Sequence, residues 1–354
     1  MKTYFSICFL LFPFILKAQH NVSKPTVDSI VQKAAATFMK NPGKMGFSVG
    51  VICNDKTYKY NYGETAPGSG IQPSSTTLYE IGSITKTFTD LLVAHAIDEG
   101  KISLNADIRK YLKDAYPNLQ YADGKSVKVA YVVSHIARLP RNTVKPLDNS
   151  FTAENFYNEL HAVKLDTLQP YRYSYSNFGY QLLGVILENV YGMPYNDLVK
   201  KYITGPLNMP ATKVYADTNN LIKGYNTQRL PMPSQQPIYP GAGGLRSNID
   251  DMLKYADAQL KETDPSIKMT HRQMYYTAES AAAMAWAIDR NRDWDYYIRE
   301  DGGTRGFRTF ITMFPDYSIS VVLLSNETDV DAGKQLYDAT NDIFNALKKV
   351  INKQ

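Results

Sequence analysis

The chain has 354 residues, 44% hydrophobic and 21% charged, which supplies a large packed core and argues against global disorder. The formal net charge is +5 with no block of lysine and arginine, which argues against a nucleic-acid partner. The first residues, MKTYFSICFLLFPFILKAQ, place a lysine before an apolar run that ends at Leu16, and Ala18 is small enough for cleavage. We read residues 1–18 as a signal peptide and expect an exported chain, periplasmic or secreted. An uncleaved anchor is the alternative. Losing Lys2 and Lys17 with the leader leaves a charge near +3. Cys8 would go with the leader, leaving Cys53 and no internal disulfide. No later stretch approaches eighteen apolar residues, so the mature chain is expected to have no membrane span.

Residues 25–40 carry Val27, Ile30, Val31, Ala34 and Phe38 at helical spacing. Phe47, Val49 and Val51 then alternate, Asn54-Asp55 turns the chain, and Tyr58-Lys59-Tyr60 returns, which predicts a β-hairpin. Residues 64–77 read as loop. A helix is expected from Ser83 to Gly100 on the pattern Ile84, Phe88, Leu91, Leu92, His95. Residues 101–280 read as mostly helical, most clearly at 178–191 and 249–261. Residues 279–288 (ESAAAMAWAI) read as a helix running into a strand. Three strands follow at Trp294–Glu300, Phe307–Phe314 and Ile319–Ser325, then a helix over 332–350. The fold class is therefore α/β: an antiparallel sheet built from both chain ends and flanked by helices, with an inserted helical lobe at roughly 101–280. The domain would span 19–354, with a cleft at the junction.

Several motifs are set aside. Gly46-Phe47-Ser48-Val49-Gly50 matches G-x-S-x-G, but strand continues after Ser48 where that motif needs a helix. The five histidines form no metal-binding spacing, so no metal site is expected, and no nucleotide-binding fingerprint points to a cofactor. His135 reads as polar glue in the core, with no catalytic role. Tyr116-Pro117-Asn118 lies in a turn and reads as structural.

Ser83 and Lys86 share one helical face, three residues apart. A lysine in a poorly solvated cleft has a depressed pKa and can take the serine's proton. A helix start also favours negative charge, which suits an oxyanion. The plain alternative is that Ser83 only caps the helix. Tyr173-Ser174-Tyr175-Ser176-Asn177 adds a phenol, Tyr175, and an amide, Asn177, ahead of the 178–191 helix. Beside an ammonium the phenol pKa is expected to fall, letting it shuttle protons. Asn177 is expected to hold a substrate amide or Lys86. In REDGGTRGF, 299–307, a small-residue edge strand suits a substrate backbone and supplies a second oxyanion N–H beside that of Ser83.

Together these stretches resemble the serine β-lactamase/penicillin-recognising superfamily on its class C side, with its D,D-carboxypeptidases, D-aminopeptidases and family VIII esterases. The matching runs are LYEIGSITKTFTDLLVAHAIDEGKISLNADIRKYL, YSYSNFGYQLLGVILENVYG, GPLNM, GAGGLRSNIDDM, GGTRGF and FPDYSISVVLLSN, in the family's order. The resemblance implies that Ser83 is the acylated serine, Lys86 its partner, and Tyr175 and Asn177 the Tyr-x-Asn motif. It puts the third motif, Lys-Thr-Gly or His-x-Gly, on Glu300-Asp301-Gly302, with Gly303 as the second oxyanion donor. Here the sequence departs from the family: Glu300 replaces the basic residue and Asp301 follows it. Two carboxylates ~4 Å apart repel by about 1 kcal/mol in water and several times that in a partly dry cleft. A substrate carboxylate is thus disfavoured, weak β-lactam hydrolysis is expected, and a free amine or neutral group is preferred. Arg299, Arg305 or Arg308 would restore positive charge, and pairing of Glu300 with an arginine is the structural alternative. The family's His-Thr-Ser-Gly-Leu stretch is altered to His135-Ile136-Ala137-Arg138-Leu139. The expected function is a serine hydrolase acting through an acyl-enzyme on D-amino-acid peptides, esters or cell-wall fragments. A slow-turnover sensor on the same fold is the alternative.

Overall fold

The computed structural model describes residues 22–145, 150–165, 172–214, 221–234, 239–276, 281–329 and 331–353. The leader and Cys8 lie outside them. An eight-stranded antiparallel sheet organises the described residues. From one edge its strands are Lys56–Tyr62, Phe47–Cys53, Ile319–Ser325, Arg308–Phe314, Tyr296–Gly303, Ala287–Arg290, Ala281–Ala282 and Tyr275–Tyr276. The N-terminal hairpin thus joins the C-terminal meander through Phe47↔Ser325 to Cys53↔Ile319. Asn54 and Asp55 make the hairpin turn with φ of 50° and 62°, the left-handed values that a tight two-residue turn requires.

The strands carry apolar residues on both faces because both faces are covered. Ile319, Val321 and Leu323 point into a layer with Val27, Val31 and Phe38 of the Lys24–Met39 helix and Leu336, Ile343 and Phe344 of the Ala332–Ile351 helix. Val322 and Leu324 point the other way, into the core shared with the Thr85–Asp98, Asn177–Tyr191 and Ile249–Lys261 helices. Gly50 admits the last of these: a Cβ there would stand 2.9 Å from Leu253.

Two expectations are corrected. The chain does not enter the helix at Ser83; Gly82–Ile84 is a 3-10 turn and the α-helix begins at Thr85. The alanine-rich run is not helical where it is described: Ala281–Ala282 and Ala287–Arg290 pair as strands, through Ala281↔Ile288 and Ala282↔Ala287. Alanine's helix preference is worth under ~1 kcal/mol per residue, and pairing with the Tyr296–Gly303 strand overrides it. No helix of the described residues is long and apolar enough to cross a membrane.

Candidate active site

A cleft of about 780 Å³ opens between the Tyr296–Gly303 strand and the helical elements, and Ser83, Tyr175, Asn177, Glu300, Asp301 and Gly303 line it. Ser83 is delivered to its floor by a tight crossing. Gly82 has φ 52°, and a Cβ on it would stand 2.6 Å from the Gly303 amide nitrogen. A Cβ on Gly302 would fall 2.0 Å from the Ile81 carbonyl, and Thr309 Oγ1 donates to that same carbonyl at 2.9 Å. These glycines let the backbones of 81–83 and 302–303 touch, so the serine and the strand end form one surface.

Lys86 Nζ lies 3.0 Å from Ser83 Oγ and donates to the Ala242 carbonyl at 2.7 Å. The side chain is fully buried. Burial pushes its pKa down to about 7, while Glu300, Asp301 and Asp90 pull it up and Arg141 lowers it further. The seat for Lys86 is the Pro240–Ala242 turn, tied to the same helix by Thr89 Oγ1 donating to Gly241 O at 2.6 Å. A Cβ on Gly241 would meet the Tyr180 carbonyl at 2.5 Å, so GAGG at 241–244 is a close-packing device beneath the lysine.

Tyr175 donates to Ser83 Oγ at 2.7 Å. Its loop is fastened to residues 135–141. Ser174 N–H donates to His135 O at 2.6 Å, Ser176 Oγ to Pro140 O at 2.6 Å, and Asn177 N–H to Arg141 O at 2.8 Å. Ser176 also caps the following helix, accepting from Gly179 N–H at 2.8 Å. The expected fall in the phenol pKa is overturned. Burial pushes it up, the Glu300 charge adds to that, and the Ser83 hydrogen bond only partly offsets them. A neutral phenol therefore faces a lysine whose ammonium form burial has destabilised. Asn177 donates to Asn142 Oδ1 at 2.7 Å and does not reach Lys86, whose bonds go to Ser83 and Ala242.

The strand wall is different. Tyr296–Gly303 pairs along Ile298–Gly303 with Arg308–Phe314, but among the described residues its other edge is paired only as far as Arg299↔Ala287. Glu300 to Gly303 thus present an open edge to the cleft. Glu300 is 8% exposed and makes no ion pair among the described residues. Arg299 turns instead to Asp289 at 3.2 Å and Asp301 at 3.9 Å, so the arginine-paired reading of Glu300 does not hold for that neighbour. Burial, then the Asp301 charge, holds the Glu300 carboxyl well above the usual range, with Lys86 opposing. Positive charge returns from two sides. Arg308 folds its Nη1 to within 1.5 Å of where a Gly303 Cβ would stand, and the Arg141 guanidinium lies 5.3 Å from the Tyr175 ring centre. Arg141 carries no motif that singles it out in sequence.

The set-aside motifs stay outside this geometry. Ser48 is buried in a strand paired on both sides, bonded to Asn61 at 2.7 Å and Tyr79 at 2.9 Å. Asn118 donates to the carbonyls of Leu160 and Val163 at 2.8 and 3.1 Å.

The family described as Beta-lactamase matches residues 31–342. The chain belongs to the beta-lactamase family. It is a serine hydrolase of the β-lactamase fold. It is 26% identical over 347 residues to a β-lactamase of Providencia stuartii, covering 86% of this chain and 87% of that protein. It is 24% identical over 355 residues to the D-alanyl-D-alanine-carboxypeptidase/endopeptidase AmpH of Escherichia coli K12, covering 93% of this chain and 92% of that one. Among solved structures, a β-lactamase/D-alanine carboxypeptidase of Yersinia pestis complexed with citrate superposes with a TM-score of 0.82 at 23% identity, over 93% of this chain and 100% of that one. A class C β-lactamase of Rhodobacter sphaeroides gives 0.79 at 22% identity, over 90% and 99%.

Proposed function

We propose that this hydrolase works through an acyl-enzyme on Ser83. The observation that carries the reading is the Ser83 oxygen held at once by the Lys86 amine, 3.0 Å away, and the Tyr175 phenol, 2.7 Å away, on the floor of a cleft. With its pKa near 7, Lys86 is substantially the free amine at neutral pH and takes the Ser83 proton as Oγ attacks the substrate carbonyl. The backbone N–H groups of Ser83 and Gly303 receive the oxyanion. Tyr175, a neutral phenol, gives its proton to the leaving amine or alcohol and recovers one from Lys86. Water then enters, gives up a proton to the same pair, and frees Ser83.

The substrate class follows from the strand wall. A carboxyl without an ion pair among the described residues, nine-tenths buried, favours an ammonium group, whose charge would lower the raised carboxyl pKa on binding. We assign D-alanyl-type amides or esters with a free amine, held along the Glu300–Gly303 edge beside Asp301 and Asn177, and weak β-lactam hydrolysis. The catalytic unit is taken as residues 19–354 with the helical insertion at roughly 101–280, exported after loss of 1–18. N-terminal sequencing of the exported protein tests that cleavage.

The test is a serine-reactive phosphonate with a panel of D-alanyl substrates, free and N-acetylated, on wild type and Ser83→Ala. Labelling and turnover that vanish in Ser83→Ala, with faster hydrolysis of the free amines, support the reading. Equal rates, or faster acetylated substrates, reject the Glu300 argument. Labelling without turnover points to the sensor.

A further inference from the structure

Behind Tyr175 stands His135, 4% exposed, in a left-handed backbone conformation with φ 57° that side-chain-bearing residues seldom adopt. Three contacts tie it to residues 174–176 of the Tyr175 loop. Its carbonyl accepts the Ser174 N–H at 2.6 Å, and its Nδ1 accepts the Ser176 N–H at 3.1 Å. Its ring stacks on the Tyr175 ring, centres 4.4 Å apart and planes 29° apart. The residues on either side of Tyr175 are thus pinned to one residue, and the phenol ring between them rests on its imidazole.

The imidazole is itself backed. Its ring also meets the Tyr173 ring edge-on at 5.7 Å and the Tyr180 ring at 4.8 Å, and the Tyr180 hydroxyl is anchored to Asp90 at 2.5 Å and the Val133 carbonyl at 2.7 Å. Because Nδ1 accepts, the neutral ring carries its proton on Nε2. That Nε2 is buried with no partner among the described residues. A buried unpartnered N–H is unfavourable, and a phenylalanine would stack equally well without it. What phenylalanine lacks is the acceptor for Ser176. Burial, with Lys86 and Arg141 nearby, keeps the ring neutral by pushing its pKa well below the usual value.

We propose that His135 is the positioning residue for Tyr175. It holds the phenol at bonding distance from Ser83 and so governs proton delivery to the leaving group, while itself exchanging no proton. This rests on Tyr175 as the leaving-group proton donor.

The test exploits leaving-group chemistry. The amine of an amide and the alcohol of an alkyl ester need a proton to depart; p-nitrophenolate does not. Rates are taken per site titrated with a phosphonate, so misfolded protein does not count. His135→Ala should lower kcat on D-alanyl amides and alkyl esters by about 100-fold, as a misplacement near 1 Å does, with KM little changed. Its acylation by p-nitrophenyl esters, read as the rate of the p-nitrophenolate burst, should stay within about threefold. His135→Asn, whose carbonyl can take the Ser176 N–H, should recover about tenfold of the loss. If His135→Ala gives no titratable enzyme, His135→Gln carries the same test, because its carbonyl reaches the Nε2 position rather than Nδ1. Tyr175→Phe is run beside them. A leaving-group split in Tyr175→Phe without one in the His135 variants overturns this inference and leaves the Tyr175 reading standing. No split in Tyr175→Phe overturns that reading itself.

Discussion

The two walls of the cleft are built on opposite plans. On the helical side, Ser83, Lys86 and Tyr175 form a closed set of short hydrogen bonds, with Lys86 fully buried and seated on the Ala242 carbonyl. On the strand side, the Glu300–Gly303 edge is open, and Glu300 makes no ion pair among the described residues. A saturated network fixes its members and leaves no room for variation, as proton transfer requires. On the proposed reading, the open edge and the Glu300 carboxyl receive the substrate. On that reading, the difference teaches that the reaction type is written into the first wall and substrate choice into the second.

The account separates the walls by the size and kind of effect. Ser83→Ala should lower hydrolysis of every substrate by about 10⁴-fold or more, read as kcat/KM across the panel. Lys86→Ala should cost about 10³-fold, as loss of a general base does. In the wild type, kcat/KM should climb with pH through a midpoint near 7, because the amine must lose its proton to act. A profile flat from pH 5 to 9 would remove Lys86 as the base. Glu300→Gln should cut the preference for free over acetylated amines by about tenfold, the scale of one partly solvated charge pair. If it instead cost as much as Lys86→Ala on neutral esters, the division between walls would fail. The smallest effect on rate belongs to Phe344→Ala, far from both walls. Phe344 stacks on Phe314 with centres 3.6 Å apart, and its loss should cost about 3–5 kcal/mol in denaturant unfolding while leaving kcat per titrated site unchanged.

Much of this was legible in the sequence where local pattern and tertiary demand agree. The alternation of Phe47, Val49 and Val51 with the Asn54-Asp55 turn gave the hairpin, and Ile319–Ser325 appears with the expected bounds. Ser83, Lys86 and Tyr175 converge as their motifs implied. What failed to show was decided by distant neighbours. The alanine run at 281–287 reads as helix until the Tyr296–Gly303 strand supplies a pairing edge. The Tyr175 phenol looks acidified beside a lysine until burial is counted, which raises the phenol and lowers the amine together. His135 carried a family signal in the altered His-Ile-Ala-Arg-Leu stretch, but its bond to the Ser176 amide spans 41 residues and no spacing rule reveals it.

The central claim is that Ser83 is the nucleophile and Lys86, as a free amine, its base. Mapping the phosphonate adduct by mass spectrometry while following labelling rate against pH tests both at once. The account predicts a single adduct on Ser83, absent in Ser83→Ala, forming faster as pH rises through about 7. An adduct on another residue such as Ser48, or labelling that persists in Ser83→Ala, would contradict it.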